Sequence, residues 1–114
     1  VYILPNWRMI LDVDTPILKK LEINGYLKFM ETKSVSIHSS FIHIRMGKLE
    51  SGNITHPTPK DITHQVLLNG SRTDYANALD NFVELGNKVL VNSASLELHG
   101  APKTSWTRLL HNAF

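Results

Sequence analysis

Short apolar and polar runs alternate along most of the chain, and each run stops at small or turn-forming residues. In Val35-Ser36-Ile37-His38 the apolar pair points one way and the polar pair the other, because successive side chains of a strand alternate. Ser39-Ser40 interrupts this run, Ile42 and Ile44 resume it, Met46-Gly47 turns, and Leu49 follows. The same outline occurs upstream as Leu21 and Ile23, then Asn24-Gly25, then Leu27. It recurs downstream as Val89 and Val91, four small polar residues, then Leu96 and Leu98. Glu97 and His99 face away from Leu96 and Leu98, and Gly100 and Pro102 end the run. At the start, Tyr2 to Leu4 predicts an edge strand and Arg8 to Val13 a second strand. Asp14-Thr15-Pro16 is a turn signal. Asn24-Gly25 suits either a hairpin turn or a corner between strands of one coil.

Leu27 and Leu49 lie 22 positions apart, and Leu49 and Leu96 lie 47 apart, which reads as about two further steps. His64 to Gly70 is the candidate for the rung between them. A loose repeat of roughly 20 to 25 residues, made of short strands and small corners, suggests a β-solenoid. An antiparallel sandwich fits the periodicity equally well. In the coiled arrangement Leu21, Ile23, Leu27, Ile42, Ile44, Leu49, Val89, Val91, Leu96 and Leu98 point inward. Two segments break the rhythm. Glu50 to Thr63 contains Gly52, Pro57 and Pro59 and reads as a loop. Tyr75, Ala78, Leu79, Phe82 and Val83 fall at i, i+3, i+4, i+7 and i+8, which predicts one short helix near residues 74–85. Ser71, Thr73 or Asp74 would cap it and Gly86 would end it.

Composition narrows the classes. A chain of 114 residues is expected to be a single domain, 1–114. Val1 and the ending at Phe114 read as the bounds of a piece from a longer protein. A formal charge of +2 with scattered Lys and Arg gives no footprint for nucleic acid. No apolar run approaches the roughly 20 residues of a membrane span, so no direct membrane insertion by this stretch is expected. With no cysteine, disulfides and thiolate metal sites are excluded. A cysteine-free small domain is more often intracellular than secreted. Two glycosylation sequons argue the other way.

Five runs, in order and with consistent spacing, carry a family resemblance. They are Leu11-Asp12-Val13-Asp14-Thr15-Pro16, Leu21-Glu22-Ile23-Asn24-Gly25-Tyr26-Leu27, Gly86-Asn87-Lys88-Val89-Leu90-Val91, Leu96-Glu97-Leu98-His99-Gly100 and Ser105-Trp106-Thr107-Arg108-Leu109. Together they resemble the G-eight domain, a module named for eight glycines. It occurs in fibrocystin, the fibrocystin-like protein, and cell-surface and secreted hyaluronidases. The match covers about residues 2 to 110, and the Asp-Thr-Pro run tilts it towards the fibrocystin branch. This chain has only six glycines, with Asn6-Trp7 and Ser93-Ala94 standing where the family usually has glycine corners. The resemblance implies an extracellular, mainly β module coiled as the start of a right-handed β-helix, part of a large cell-surface ectodomain. Implied partners are the flanking β-helix of the parent chain and a glycan or protein ligand. The function expected is a non-catalytic structural and interaction module. The alternative is part of a hyaluronan-binding or hyaluronan-cleaving ectodomain.

Candidate chemistry is sparse. Asn53-Ile54-Thr55 and Asn69-Gly70-Ser71 are N-glycosylation sequons, and Asn53 sits in the Pro-rich loop where an acceptor must lie. Asp12 and Asp14 could hold a Ca²⁺ together, but without a third acidic ligand nearby a turn-capping role for Asp14 is favoured about four to one. Trp7, next to Arg8 at a corner, could stack on a sugar ring, whereas Trp106 reads as packing. His38 and His43 are five apart, so a continuous strand turns them to opposite faces. None of the six histidines has the i, i+4 spacing of a zinc helix, and no cofactor is expected. No nucleophile–base pair or paired-carboxylate pattern is visible, so no catalytic residue is assigned and no hydrolase activity of the domain alone is expected.

Overall fold

Apart from one antiparallel pair, the strands run parallel, and successive strands alternate between two sheets. The computed structural model describes residues 1–71, 73, 77–79 and 83–110. β1 (Tyr2–Ile3), β3 (Ile17–Ile23), β5 (Val35–Ile44) and β10 (Val89–Asn92) form one sheet in that order, with β7 (His64–Leu68) also on β5. β2 (Arg8–Leu11), β4 (Tyr26–Phe29), β6 (Lys48–Ser51) and β11 (Ser95–Leu98) form the other. All these pairings are parallel, so Asn24-Gly25 is a corner between sheets and not a hairpin turn. Leu27 pairs with Leu49, and Leu49 pairs with Leu96. The 47 positions between the last two are therefore a single step with a long excursion, not two steps.

β5 explains the excursion. Val35 and Ile37 are core residues, and so are Ile42 and Ile44, so the inward set switches from odd to even positions around Ser39-Ser40. His38 and His43 thus both lie on the face away from the core, against the expectation of opposite faces. β7 pairs with the first half of β5 and β10 with the second half. The strands beyond β5 are split at the bend, and the chain leaves this sheet after β7 and rejoins it at β10.

The core is Ile3, Leu21, Ile23, Leu27, Phe29, Val35, Ile37, Ile42, Ile44 and Leu49, with Leu90 and Leu96 partly buried against it. Three inward assignments, Val89, Val91 and Leu98, need correction. On β10 the register sets Leu90 beside Ile42, so Val89 and Val91 pair with Phe41 and His43 on the outer face. A one-residue offset moves the whole set to the other face, and three apolar residues in a row conceal which set is inward. Leu98 is 60% exposed because β11 is an edge strand with no further strand over it.

Corners are set by close backbone approach. Gly47 has φ +98, and a Cβ there would lie 2.0 Å from the Gly25 carbonyl oxygen. A Cβ on Gly25 would lie 2.3 Å from the Leu4 oxygen. Lys48 N–H donates to Gly25 O at 2.9 Å and Tyr26 N–H to Trp7 O at 2.8 Å, which locks each corner onto the next.

The helix expected near 74–85 does not form where the chain is described. β8 (Asn77–Leu79) and β9 (Val83–Gly86) pair antiparallel, with Leu79 opposite Val83. The rest of that span, and Tyr75 and Phe82 with it, lies outside the described residues. Asn77 disfavours a helix interior and Val83 is β-branched, so local preference outweighs the apolar spacing at the described positions. No helix among the described residues is long and apolar enough to cross a membrane.

Candidate functional site

Trp7 and Arg8 sit at the first corner, after Asn6, whose φ of 69 takes the left-handed conformation a turn needs. Trp7 is 49% exposed. The Arg8 guanidinium lies over the Tyr26 ring, 5.1 Å from its centre. With Asn6, Asn24, Gly25 and Gly47 these three side chains line a hollow of about 380 Å³. Parallel register aligns Arg8, Tyr26, Lys48 and Ser95 across the outer face of the second sheet. The Tyr26 hydroxyl donates to the Glu50 carboxylate. Burial of the phenol, then this hydrogen bond and the negative charge of Glu50, push its pKa up from 10.0 to about 12. Lys48 Nζ lies 2.9 Å from Glu97 and 3.9 Å from Glu50. Its hydrogen bond to Glu97 raises the lysine pKa and lowers that of the carboxylate. The face therefore offers two aromatic rings, two cations and carboxylate acceptors in one strip, a chemistry suited to sugar rings and hydroxyls.

The other sequence candidates separate. The Asp14 carboxylate accepts the Ser36 N–H at 2.8 Å, a backbone-satisfying role, and both Asp12 and Asp14 are exposed. Among the described residues no group of three or more His, Asp or Glu could hold a metal ion. Asn53 closes a tight turn: its Oδ1 accepts Thr55 N–H at 3.0 Å, Thr55 Oγ1–H at 2.8 Å and His56 N–H at 2.7 Å. All three bonds use the amide oxygen, and the sequon threonine touches the asparagine it serves. Asn69 is held differently. Its Nδ2 donates to Leu67 O at 3.3 Å, its backbone N–H donates to Ser39 O, and Ser71 bonds Thr73. Trp106 is exposed beneath Arg108, so it is not the packing residue expected.

The fold also creates two groupings that no sequence spacing announced. On the outer face of the first sheet, Glu22 is 9% exposed and His43 5% exposed. His43 Nε2 lies 3.2 Å from Ser93 Oγ, and its Nδ1 lies 4.0 Å from Glu22. Asn24 Nδ2 donates to the other oxygen of Glu22, while Asn24 Oδ1 is buried without a partner. At the far end of β6, Ser51 Oγ lies 2.6 Å from His64 Nδ1 and 3.2 Å from Thr58 Oγ1. Two Ser–His contacts are therefore present, 50 and 13 positions apart in the chain, the first set by the pairing of β5 with β10 and the second by β6 and β7 meeting across the two sheets.

Parallel strands alternating between two sheets around one core, with close-stacked corners, define a mainly β module. The family model described as the G8 domain matches residues 1–110, and the chain belongs to that family. Fibrocystin of Canis lupus familiaris is 32% identical over 110 residues, covering 96% of this chain and 3% of that protein. Fibrocystin of Mus musculus is 29% identical over the same length and shares. The chain thus spans 3% of the length of the curated relatives it matches. No solved structure matches it.

Proposed function

We propose that this chain is an extracellular structural and interaction module of a fibrocystin-type cell-surface protein, coiled as a short β-solenoid that starts or caps a longer right-handed β-helix. The carrying observation is the direct stacking of Leu27, Leu49 and Leu96 in parallel register, with both sheets open at their edges. β10 and β11 end the stack with Leu90 and Leu96 only partly covered, and a flanking coil of the parent would complete their burial. In this reading β10 and β11 amides exchange quickly with deuterium in the isolated domain and at least tenfold more slowly in a longer piece of the parent. Equal exchange in both would remove the capping role.

Extracellular placement rests on Asn53. Its turn presents the acceptor in an exposed loop, with the sequon hydroxyl already bonded to the amide oxygen. Expressed through a secretory pathway, the domain gains glycan mass at Asn53, and much less at Asn69, whose amide nitrogen is engaged. Site-resolved mass spectrometry after amidase treatment checks this. An unoccupied Asn53 would count against the placement.

The hollow at Trp7, Arg8 and Tyr26 favours a second reading, as a hyaluronan-binding part of an ectodomain, with any sugar cleavage carried out elsewhere in the parent. Titration with hyaluronan oligosaccharides separates the two. Binding lost in Trp7→Ala supports this second role, and no binding by the wild type ends it.

A further inference from the structure

The far end of the second sheet holds a separate hollow of about 360 Å³, which goes beyond the structural role. Ser51 and His64 line it, with Thr58 and His99 beside them and Phe29, Ile62, Val66 and Leu98 as apolar wall. His64 Nε2 lies 2.9 Å from Met30 O and 3.0 Å from Lys33 O. Carbonyl oxygens only accept, so these contacts assign the imidazole proton to Nε2. Nδ1 then carries the lone pair, and the Ser51 hydroxyl, 2.6 Å away, donates to it. Phe29 stacks on the imidazole at 4.7 Å and 16°, which fixes the ring plane. Ser51 is 6% exposed, and its backbone oxygen is held by the His99 N–H at 2.7 Å. A nucleophile, a base and a third group orienting the base are thus assembled at one hollow.

We propose that Ser51 is an activated nucleophile that takes acyl groups from small esters with apolar acyl chains, with His64 as its base. The Ser51 oxygen attacks the ester carbonyl as its proton passes to His64 Nδ1. The carbon–oxygen bond to the alcohol then breaks, and His64 returns the proton to the departing alcohol. Water repeats the sequence on the acyl-serine, releasing the carboxylic acid and restoring Ser51. The Thr58 hydroxyl, 3.2 Å from Ser51 Oγ, is placed to donate to the carbonyl oxygen as it gains charge. The apolar wall selects the acyl group.

The test is covalent labelling with an alkyl fluorophosphonate, in which the Ser51 oxygen–phosphorus bond forms as fluoride leaves. Peptide mapping should show Ser51 as the principal labelled serine, ahead of exposed Ser34 and Ser105. Ser51→Ala should lose that adduct, and His64→Gln should slow labelling by a hundredfold or more, the low end of what a positioned base contributes, about 10² to 10⁴. Should His64→Gln fail to fold, the wild type still decides: prior incubation with a p-nitrophenyl acyl ester should leave an acyl mass on Ser51 and block the probe. Ser51 labelled no faster than the exposed serines, or no protection by the ester, would overturn the proposal and leave the pair a structural seal. Neither result bears on the hydrogen-exchange test of β10 and β11, so the two readings fail separately.

Discussion

The chain up to Ser51 and the chain beyond it obey the same register but are built differently. Before Ser51 the chain returns to a parallel neighbour strand every 18 to 22 positions, corners touch backbone to backbone, and the inward residues are closed from water. Beyond Ser51 the step from Leu49 to Leu96 takes 47 positions, the chain leaves the sheet between β7 and β10, and its described residues contribute only partly buried side chains to the core. Stability in a stacked coil comes from neighbours on both sides, so a rung with one neighbour is expected to be the weaker. The difference separates what the first coils hold from what the edge coil leaves available for a partner.

The sharpest test substitutes equivalent leucines in one stack. Leu49 is fully buried between Leu27 and Leu96, and Leu49→Ala should cost about 2–5 kcal/mol in a denaturant titration, or unfold the domain. Leu96→Ala, at the edge, should cost about 1 kcal/mol because part of its surface is already wet. Equal losses would break the distinction between the two regions.

A corner comparison comes next. Gly47→Ala meets both a positive φ and the Gly25 carbonyl, and backbone strain alone should cost about 1–3 kcal/mol. At Gly100 a Cβ meets nothing within 4 Å, and Gly100→Ala should stay within about 0.5 kcal/mol of the wild type. Thermal midpoints of the two variants check both values. A tolerated Gly47→Ala would mean that the corners relax independently of one another.

The same contrast marks how far the sequence could be followed. Leu21, Ile23, Leu27, Ile42, Ile44 and Leu49 were legible as inward because polar residues or a corner flank them, so alternation has a clear phase. Val89-Leu90-Val91 has no phase of its own, and only pairing with β5 decides that Leu90 is inward. The split rung was hidden because an excursion of uneven length looks like an extra repeat. The hairpin of β8 and β9 was hidden because short apolar spacings fit a helix and a strand pair alike. The candidate sites divide along the same line. Asn53 and Trp7 could be named from local sequence, whereas Ser93 with His43 and Glu22 come together through strand register, and Ser51 with His64 through the meeting of the two sheets.

The smallest expected effect concerns the polar strip that ties the two regions across the second sheet. Tyr26 and Glu50 belong to the inner strands β4 and β6, and Lys48 links them to Glu97 on the edge strand. The Tyr26 pKa is raised from 10.0 to about 12, so the folded state holds the phenol proton more tightly than the unfolded chain does. The stability this contributes is fully present below pH 10.0 and is lost as pH rises through about 12. Spectroscopic titration of the phenols should show one tyrosine ionising near pH 12 in the folded domain and at ordinary values once it is unfolded. Tyr26→Phe should abolish that late step and cost about 1 kcal/mol at neutral pH, a modest value because the ring is partly open to water. The loss should be similar with Glu97→Gln already in place, since the Tyr26–Glu50 bond lies within the inner coils. A strongly non-additive double variant would instead make the strip one network, and the edge coil would then be held by more than its leucine.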